Sequence, residues 1–238
     1  MKLLYEGKAK RLFETERPDE LLMEFKDDAT AFNGEKKEQL ENKGRVNKKL
    51  SLLLYNLLEK EGIKTHFIRD VDEINMIVKR VEIILVEVVT RNVVAGSLAK
   101  RTGLKEGHVL TEPIVETYYK DDSLGDPLIN SDHIRVLKLA SEDEVNELKR
   151  QSLTINKDLT AFFTSIGIQL VDFKLEFGRV YPDFKEVILA DEISPDTCRF
   201  WDIETGEKMD KDRFRRDLGD VIESYEQVLT RVEDAVLH

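Results

Sequence analysis

Apolar residues recur at helical spacing in three parts of the chain. The first stripe covers residues 46–58, the second follows Ser141 and reaches Ile166, and the third starts near Asp210 and continues to Val232. A glutamate three residues after Ser141 completes a capping box, which is typical of a helix start. Spacings of three, four and seven residues place the apolar positions on one helical face. The pattern therefore predicts three long amphipathic helices.

Strand signals fill most of the remaining chain. Alternating or β-branched runs bounded by glycine and polar turns favour strands. These runs lie at residues 3–6, 11–13, 20–26, 66–69, 74–79, 81–90, 170–178 and 187–190. Residues 120–135 combine glycine, proline and acidic residues and predict a mobile loop. Early strands, isolated helices and a late hairpin favour an α+β architecture, with a smaller N-terminal sheet lobe and a larger C-terminal lobe.

The charge balance narrows the possible classes of protein. The 238 residues include 37 Lys and Arg against 48 Asp and Glu, a net charge of −11. Such a surface disfavours nucleic-acid binding, which depends on basic side chains that replace counterions. No apolar run approaches the ~20 residues of a membrane span, and charge follows Met1 at once, unlike in a signal peptide. Together with a single cysteine, Cys198, these features favour a cytoplasmic protein.

Two acidic residues near the late hairpin are candidates for a metal site. Alternation within residues 170–178 places Asp172, Lys174 and Glu176 on one face of a strand. If residues 187–190 pair with this strand antiparallel, Asp191 lies near Glu176. Two such carboxylates suit Mg²⁺ that is bound together with nucleotide phosphates. The alternative is a solvated strand face on which Lys174 neutralises its acidic neighbours.

Basic residues near two turns indicate phosphate or carboxylate binding. Gly7 lies at a strand bend, where backbone can approach a phosphate, and Lys8 and Lys10 follow it. The alternative is a hairpin turn with exposed lysines. Arg91 precedes a predicted turn at Gly96 and Ser97, and both Arg91 and Arg199 offer a planar fork to an anion. A structural ion pair is the commoner role of an arginine. The four histidines have no metal-ligand spacing, which predicts surface or packing roles for them, and Cys198 has no histidine partner in sequence.

Several segments, in order along the chain, resemble the SAICAR synthetase family. They are residues 5–10 (YEGKAK), 28–34 (DATAFNG), 43–47 (KGRVN), 87–97 (EVVTRNVVAGS), 171–178 (VDFKLEFG), 190–196 (ADEISPD), 199–202 (RFWD) and 209–215 (MDKDRFR). The match covers essentially the whole chain. The resemblance implies one catalytic domain, residues 1–238, with a two-lobed α+β fold. ATP would lie between a nucleotide-covering lobe, residues 1–85, and a substrate and metal lobe, residues 86–238.

The resemblance also implies a reaction and its partners. The family joins the carboxylate of the ribonucleotide CAIR to the amino group of L-aspartate, in de novo purine biosynthesis, and uses ATP and Mg²⁺. The products are SAICAR, ADP and phosphate. The implied partners are these small molecules and a second copy of the chain in a homodimer, with neither nucleic acid nor membrane.

The family's functional positions can be placed on this sequence. Those implied to bind ATP are Gly7, Lys8, Ala9, Lys10, Val81, Leu85 and Val86. Those implied to bind CAIR are Arg91, Ser97, Arg199, Lys211 and Arg215. Those implied to be catalytic are Lys174, Lys120 and Asp126, and those implied to bind Mg²⁺ are Glu176 and Asp191. Leu85 stands where many members of the family have proline.

Two other classes of function use similar residues. A small-molecule kinase would need an aspartate base on a catalytic loop, and the sequence has no His-Arg-Asp loop of that type. A nucleotide sensor would bind ATP without turnover. Product formation from ATP, CAIR and aspartate distinguishes the three functions.

Overall fold

The computed structural model describes residues 1–31 and 36–237, which contain fourteen strands and six helices. Residues 32–34 of the 28–34 segment and His238 lie outside the described residues. The strands are β1 (Leu3–Glu6), β2 (Lys10–Glu14), β3 (Glu20–Phe25), β4 (Asp28–Ala31), β5 (Lys36–Gln39), β6 (Phe67–Asp70), β7 (Asn75–Lys79), β8 (Val81–Ile83), β9 (Val86–Val93), β10 (Val109–Tyr119), β11 (Leu128–Ile129), β12 (Ile168–Val180), β13 (Val187–Ala190) and β14 (Cys198–Asp202). The helices are α1 (Lys43–Lys60), α2 (Gly96–Thr102), α3 (Ser131–Val136), α4 (Glu142–Ser165), α5 (Asp212–Arg215) and α6 (Val221–Leu237).

Strands β1, β2, β3, β7 and β6 form an antiparallel sheet, in that order, near the N-terminus. Alternation in β3 turns Leu21, Met23 and Phe25 toward the core, where α1 packs against the strand. Helix α1 begins close to this sheet at Gly44. A Cβ atom at Gly44 would lie 2.6 Å from the carbonyl oxygen of Phe25. Glycine therefore allows the helix to start directly against the sheet.

The second sheet is built around β12, which pairs antiparallel with β8, β9, β13 and β14. Strands β10 and β11 extend it beyond β9. Helix α4 begins at the predicted capping box and contributes the fully buried side chains of Leu148, Leu159 and Phe163 to the core. Glu176 lies opposite Ala190, which confirms the predicted late hairpin. The α+β architecture is likewise confirmed.

One strand prediction was wrong. Residues 81–90 do not form one strand, because the chain bends at residues 84 and 85 and separates β8 from β9. Leu175 pairs with Val88 and Gly178 pairs with Ile83, so two residues of β12 face four residues of the partner chain. The extra residues form a bend that buries Ile84 and exposes Leu85.

The prediction of a single helix from Asp210 was also wrong. The chain forms two helices, α5 and α6, because Asp217, Gly219 and Asp220 adopt left-handed backbone conformations between them. Leu218, predicted to face the core, is consequently exposed.

Two predicted irregular segments contain regular structure. Residues 120–135 contain a 3₁₀ turn at Asp122–Leu124, strand β11 and most of α3. The predicted turn at Gly96 and Ser97 is instead the first turn of α2. Among residues 1–31 and 36–237, none of the helices combines the length and apolar character that crossing a membrane requires.

The buried face of α4 can be tested with a matched pair of leucines. Leu159 is fully buried, whereas Leu153 on the same helix is 42% exposed. We expect Leu159→Ala to lower the free energy of unfolding by about 2–5 kcal/mol, because it leaves a cavity. Leu153→Ala should cost less than about 0.5 kcal/mol. Urea unfolding measures both values, and equal losses would contradict the assigned helix face.

Candidate active site

A cavity of about 360 Å³ opens between the N-terminal hairpin turn and the second sheet. This volume lies within the range of small-molecule sites. Strands β9 and β12, helix α2 and the segments on either side of β14 all contribute side chains to it. The sequence-predicted site residues that line it are Lys8, Arg91, Ser97, Asp126, Lys174, Arg199, Lys211 and Arg215. The fold thus brings together residues that are up to 207 positions apart.

An arginine pair around Asp172 forms one wall of the cavity. Asp172 lies opposite Arg91 of β9 and opposite Arg199 of β14, so three neighbouring strands place the charges in a row. Nη1 of Arg91 donates to Asp172 at 2.7 Å, and Nη1 of Arg199 donates to both carboxylate oxygens at 2.8 and 2.9 Å. Asp172 is buried. Both guanidinium groups are therefore held by one shared carboxylate.

Other polar groups fix the remaining donors of the two arginines. Arg91 donates from Nε to Glu116 at 2.7 Å and from Nη2 to the hydroxyl oxygens of Ser97 and Tyr118. Arg199 donates from Nε to Asp212 at 3.0 Å. Burial opposes the charge on each arginine, but the neighbouring carboxylates raise the pKa of both. Both arginines stay charged and oriented at the cavity wall.

Two lysines and two glutamates form a second charged cluster. Nζ of Lys174 lies 2.6 Å from Glu87 and 2.8 Å from Glu176, and Nζ of Lys120 lies 2.9 Å from Glu176. Burial opposes ionisation of Glu176, but the two lysines lower its pKa overall. Burial raises the pKa of Glu87. This cluster connects the cavity wall at Lys174 with the predicted metal ligand Glu176.

The second predicted metal ligand, Asp191, follows Ala190, which pairs with Glu176 across the two strands. The charge of Glu176 also acts on the Asp191 carboxylate. Its carboxylate pairs with Lys10, which also lies 2.7 Å from Glu192. Burial raises the pKa of Asp191, and the charges of Glu176 and Glu192 raise it further. The backbone of Asp191 is left-handed, with φ of 61°, and its carbonyl accepts a hydrogen bond from the Tyr55 hydroxyl.

This donor set fits a divalent cation that arrives with a nucleotide. Among residues 1–31 and 36–237, no group of three or more His, Cys, Asp or Glu side chains is arranged to hold a metal alone. Mg²⁺, however, is commonly bound by one or two carboxylates together with phosphate oxygens and water. Glu176 and Asp191 supply such carboxylates, and each now has a lysine as its counter-ion.

A third group of charges includes Asp196, Lys211 and Arg215, which also line the cavity. Asp196 is buried, pairs with Lys43 of α1 at 2.5 Å and accepts a hydrogen bond from the Tyr225 hydroxyl at 2.9 Å. Burial opposes ionisation of Asp196, but Lys211 and Lys43 lower its pKa. Burial lowers the pKa of Lys211, and Asp196 opposes that effect. Lys211 and Arg215 thus present positive charge to the cavity from the start of α5.

Some predicted nucleotide-binding residues lie outside the cavity lining. They are Gly7, Ala9, Lys10, Val81, Leu85 and Val86. The hairpin turn nevertheless reaches the cavity through Lys8, whose Nζ lies 2.6 Å from the exposed carboxylate of Asp122. Lys120 lies beside the bend between β8 and β9, because its amide donates to the carbonyl of Leu85 at 3.2 Å.

Several residues of the site were missed by sequence reasoning. They are the carboxylates that hold predicted cations: Glu87, Glu116, Asp172, Asp196 and Asp212. Alternation marked Asp172 as facing the same side as Lys174, but nothing in sequence indicates its arginine partners.

Cys198 and His66 have no catalytic arrangement. Burial raises the pKa of the Cys198 thiol, which makes it a poor nucleophile. Burial lowers the pKa of His66 to about 3, and its ring contacts Tyr55. The predicted packing role therefore holds for His66.

Residues 3–232 match the family model described as SAICAR synthetase. The chain belongs to the SAICAR synthetase family. It is similar to the phosphoribosylaminoimidazole-succinocarboxamide synthase of Akkermansia muciniphila, with 57% identity over 98% of this chain and 99% of that protein.

Solved structures of the SAICAR synthetase family share the fold. The phosphoribosylaminoimidazole-succinocarboxamide synthase from Ehrlichia chaffeensis is 45% identical, with a TM-score of 0.95 over 98% of both chains. A SAICAR synthetase in complex with ADP is 50% identical, with a TM-score of 0.93 over 97% of both chains. The predicted family and its two-lobed α+β fold are therefore confirmed.

The shared carboxylate at Asp172 leads to a stability prediction. Asp172→Asn leaves two buried guanidinium groups side by side, and we expect a loss of about 3–5 kcal/mol in unfolding free energy. Added sulfate should restore part of that loss, since an anion in the cavity can replace the missing charge. Urea unfolding at several sulfate concentrations measures this effect.

A matched control is available outside the cavity. Glu20 is a buried carboxylate that also pairs with two arginines, Arg17 and Arg69, but these arginines are exposed. Glu20→Gln should therefore show a much weaker dependence on sulfate. The same sulfate dependence in both variants would contradict an arginine wall that is open to anions.

Proposed function

We propose that this cavity condenses the carboxylate of CAIR with the amino group of L-aspartate, at the expense of ATP, and gives SAICAR, ADP and phosphate. The observation that carries this proposal is a cavity lined both by the arginine pair around Asp172 and by Lys174. Lys174 pairs with Glu176, which also pairs with Lys120; Glu176 and Lys120 lie outside the cavity lining. One half suits an anionic acceptor and the other suits phosphoryl transfer. Membership of the SAICAR synthetase family supports the same reaction.

The chemistry requires an activated acid. An amine does not displace hydroxide from a carboxylate at a useful rate, so phosphorylation of the CAIR carboxylate would provide a better leaving group. Such a reaction depends mainly on positioning and on electrostatic stabilisation of the phosphoryl group. Burial raises the pKa of the Cys198 thiol, so the cysteine in the cavity lining is a poor nucleophile, which agrees with a route that needs none.

ATP would lie between the lobe of residues 1–85 and the lobe of residues 86–238. The turn at Gly7 and Ala9 would cover the phosphates, with Lys8 and Lys10 as their counter-ions. Lys8 is suited to this role because its present partner, Asp122, is exposed and easily exchanged. The bend between β8 and β9 would contact adenine through Val81, Leu85 and Val86. A member of the family that is 50% identical was solved with ADP, which supports nucleotide binding here.

Glu176 and Asp191 would hold Mg²⁺ beside the phosphates. When bound, the ion offsets negative charge on the transferred phosphoryl group. Lys174 would orient Glu176 and add positive charge on the same side, and Lys120 would do so from the segment that also carries Asp126. These side chains lie close together because the lysines neutralise the carboxylates.

The acceptor would bind at the arginine wall. Arg91 and Arg199 present planar forks that match phosphate and carboxylate oxygens. Ser97 lies beside Arg91, and Lys211 and Arg215 add charge from α5. The homodimer, which the family alone implies, and the cytoplasmic location stay predictions.

A coupled assay tests the proposed function. The protein is incubated with ATP, Mg²⁺, CAIR and L-aspartate, and SAICAR and ADP are quantified with each component omitted in turn. We expect one SAICAR for each ADP, and no product without any one component. ADP formation with CAIR but without condensation, even with aspartate present, would favour a kinase. Nucleotide binding without turnover would favour a sensor.

The metal assignment gives a separate prediction. Glu176→Gln and Asp191→Asn should each reduce turnover roughly 100-fold or more, because charge on the phosphoryl group is no longer offset. Both should also weaken the Mg²⁺-dependent part of ADP binding, measured by calorimetry with and without Mg²⁺.

The two variants should differ in metal-free stability. Glu176→Gln breaks ion pairs with two lysines and should lower the melting temperature. Asp191→Asn keeps a residue type that tolerates the left-handed conformation and should lower it less. Unchanged Mg²⁺ dependence of ADP binding in both variants would remove the metal assignment.

A further inference from the structure

Asp210 is a fully buried carboxylic acid that lies behind the acceptor side of the cavity. It does not line the cavity. One carboxylate oxygen accepts a hydrogen bond from the amide of Phe200 at 2.9 Å, and the other accepts from the amide of Asp212 at 2.7 Å. A single side chain therefore joins the backbone of β14 to the first turn of α5.

The two joined segments carry the predicted acceptor cations. Phe200 follows Arg199 directly in β14, and Asp212 follows Lys211 and precedes Arg215 in the chain. The side chain of Asp212 also pairs with Arg199 at 3.0 Å and with Arg215 at 2.8 Å. The carboxylate of Asp210 thus sets the spacing between the strand that positions one cation and the helix that positions the other two.

Backbone hydrogen bonds support the same junction from both sides. The amide of Met209 donates to the carbonyl of Phe200 at 2.8 Å, and the amide of Lys211 donates to the carbonyl of Pro195 at 3.0 Å. Asp210 lies between Met209 and Lys211 in the chain. Among the described residues, its side chain is the only one that accepts from both the amide of Phe200 and the amide of Asp212. Its role is therefore local to the junction of β14 and α5.

The carboxylic acid is retained although its surroundings disfavour its charge. Burial raises the pKa of Asp210 to about 7, and Asp212 adds to this effect, while Arg199 and the two amides oppose it. A neutral amide side chain would avoid the cost of burying a charge. However, it offers only one acceptor oxygen and would set its NH₂ group against a backbone amide. The need for two acceptors explains why a carboxylate is used here.

We propose that Asp210 is a positioning residue for the acceptor site, which fixes Arg199 relative to Lys211 and Arg215 without touching the substrate. This inference rests on the proposed function, because it takes these cations as the CAIR site. Loss of the junction would let α5 move relative to β14, and an anion would no longer meet all three cations at once. The nucleotide side of the cavity shares none of these contacts.

Calorimetric binding of CAIR and of Mg²⁺-ADP to the Asp210→Asn protein tests the inference. We expect CAIR affinity to fall roughly tenfold or more, since hydrogen bonds to a charged group are lost. ADP affinity should stay within about twofold. If Asp210→Asn does not fold, as judged by circular dichroism, Asp210→Ser is smaller, fits the same space and serves in the same comparison.

Asp202→Asn is the matched control. Asp202 ends the same strand, and one of its carboxylate oxygens accepts from the backbone amides of Glu204 and Thr205 at 3.0 and 2.8 Å, while the other accepts from Arg231 at 2.7 Å. It lies outside the cavity lining. Both affinities should stay within about twofold in this control, even where its melting temperature falls as much as that of the Asp210 variant.

The outcomes separate this inference from the proposed function. Unchanged CAIR affinity in the Asp210 variants, or equal losses of CAIR and ADP affinity, would overturn the positioning role. A wild-type protein that binds Mg²⁺-ADP but not CAIR would overturn the acceptor assignment itself, and the inference with it. Selective loss of CAIR affinity in the Asp210 variants but not in Asp202→Asn would establish the role.

Discussion

The alternation of side chains along β12 determines both the core and the cavity. This strand pairs with four others, and its odd-numbered residues include Val171, Leu175 and Phe177 of the core. Its even-numbered residues include Asp172 and Glu176, the centres of the two charged clusters. Because strand side chains have a period of two, a shift of one residue would turn the charged side chains into the apolar core and the apolar side chains toward the cavity. Core and site therefore share one register.

The charged clusters also explain how an acidic protein can bind anions. The chain has a net charge of −11, yet cations gather where three strands converge, and each is held by carboxylates. This arrangement neutralises the buried cations within the protein itself. A bound anion must share the arginine donors with the internal carboxylates, or displace these carboxylates. The affinity for an anion therefore depends on how well its oxygens fit the fixed N–H groups rather than on its charge alone. The geometry favours selectivity over non-specific attraction.

Sequence patterns revealed the elements that local spacing determines. The capping box at Ser141, the face of α4 and the hairpin after residue 170 follow from short-range periodicity. The bend between β8 and β9 does not, because it arises from pairing with β12 roughly 90 positions away. The cations of the site were predicted, partly through the family resemblance, but the carboxylate Asp172, which is 81 positions from Arg91, was not. Partners that are distant in sequence leave no local signal.

The left-handed backbone at Asp191 restricts which amino acids that position can accept during evolution. With φ of 61°, only glycine, asparagine and aspartate enter the conformation at low cost. Of these three, aspartate alone supplies a carboxylate, so even glutamate, which keeps the charge, would add backbone strain. The hydroxyl of the buried Tyr55 donates a hydrogen bond to the Asp191 carbonyl. This bond holds the backbone in the left-handed conformation. Glycine and asparagine would thus keep the backbone and lose the carboxylate, whereas glutamate would keep the carboxylate only if Tyr55 and the turn changed with it.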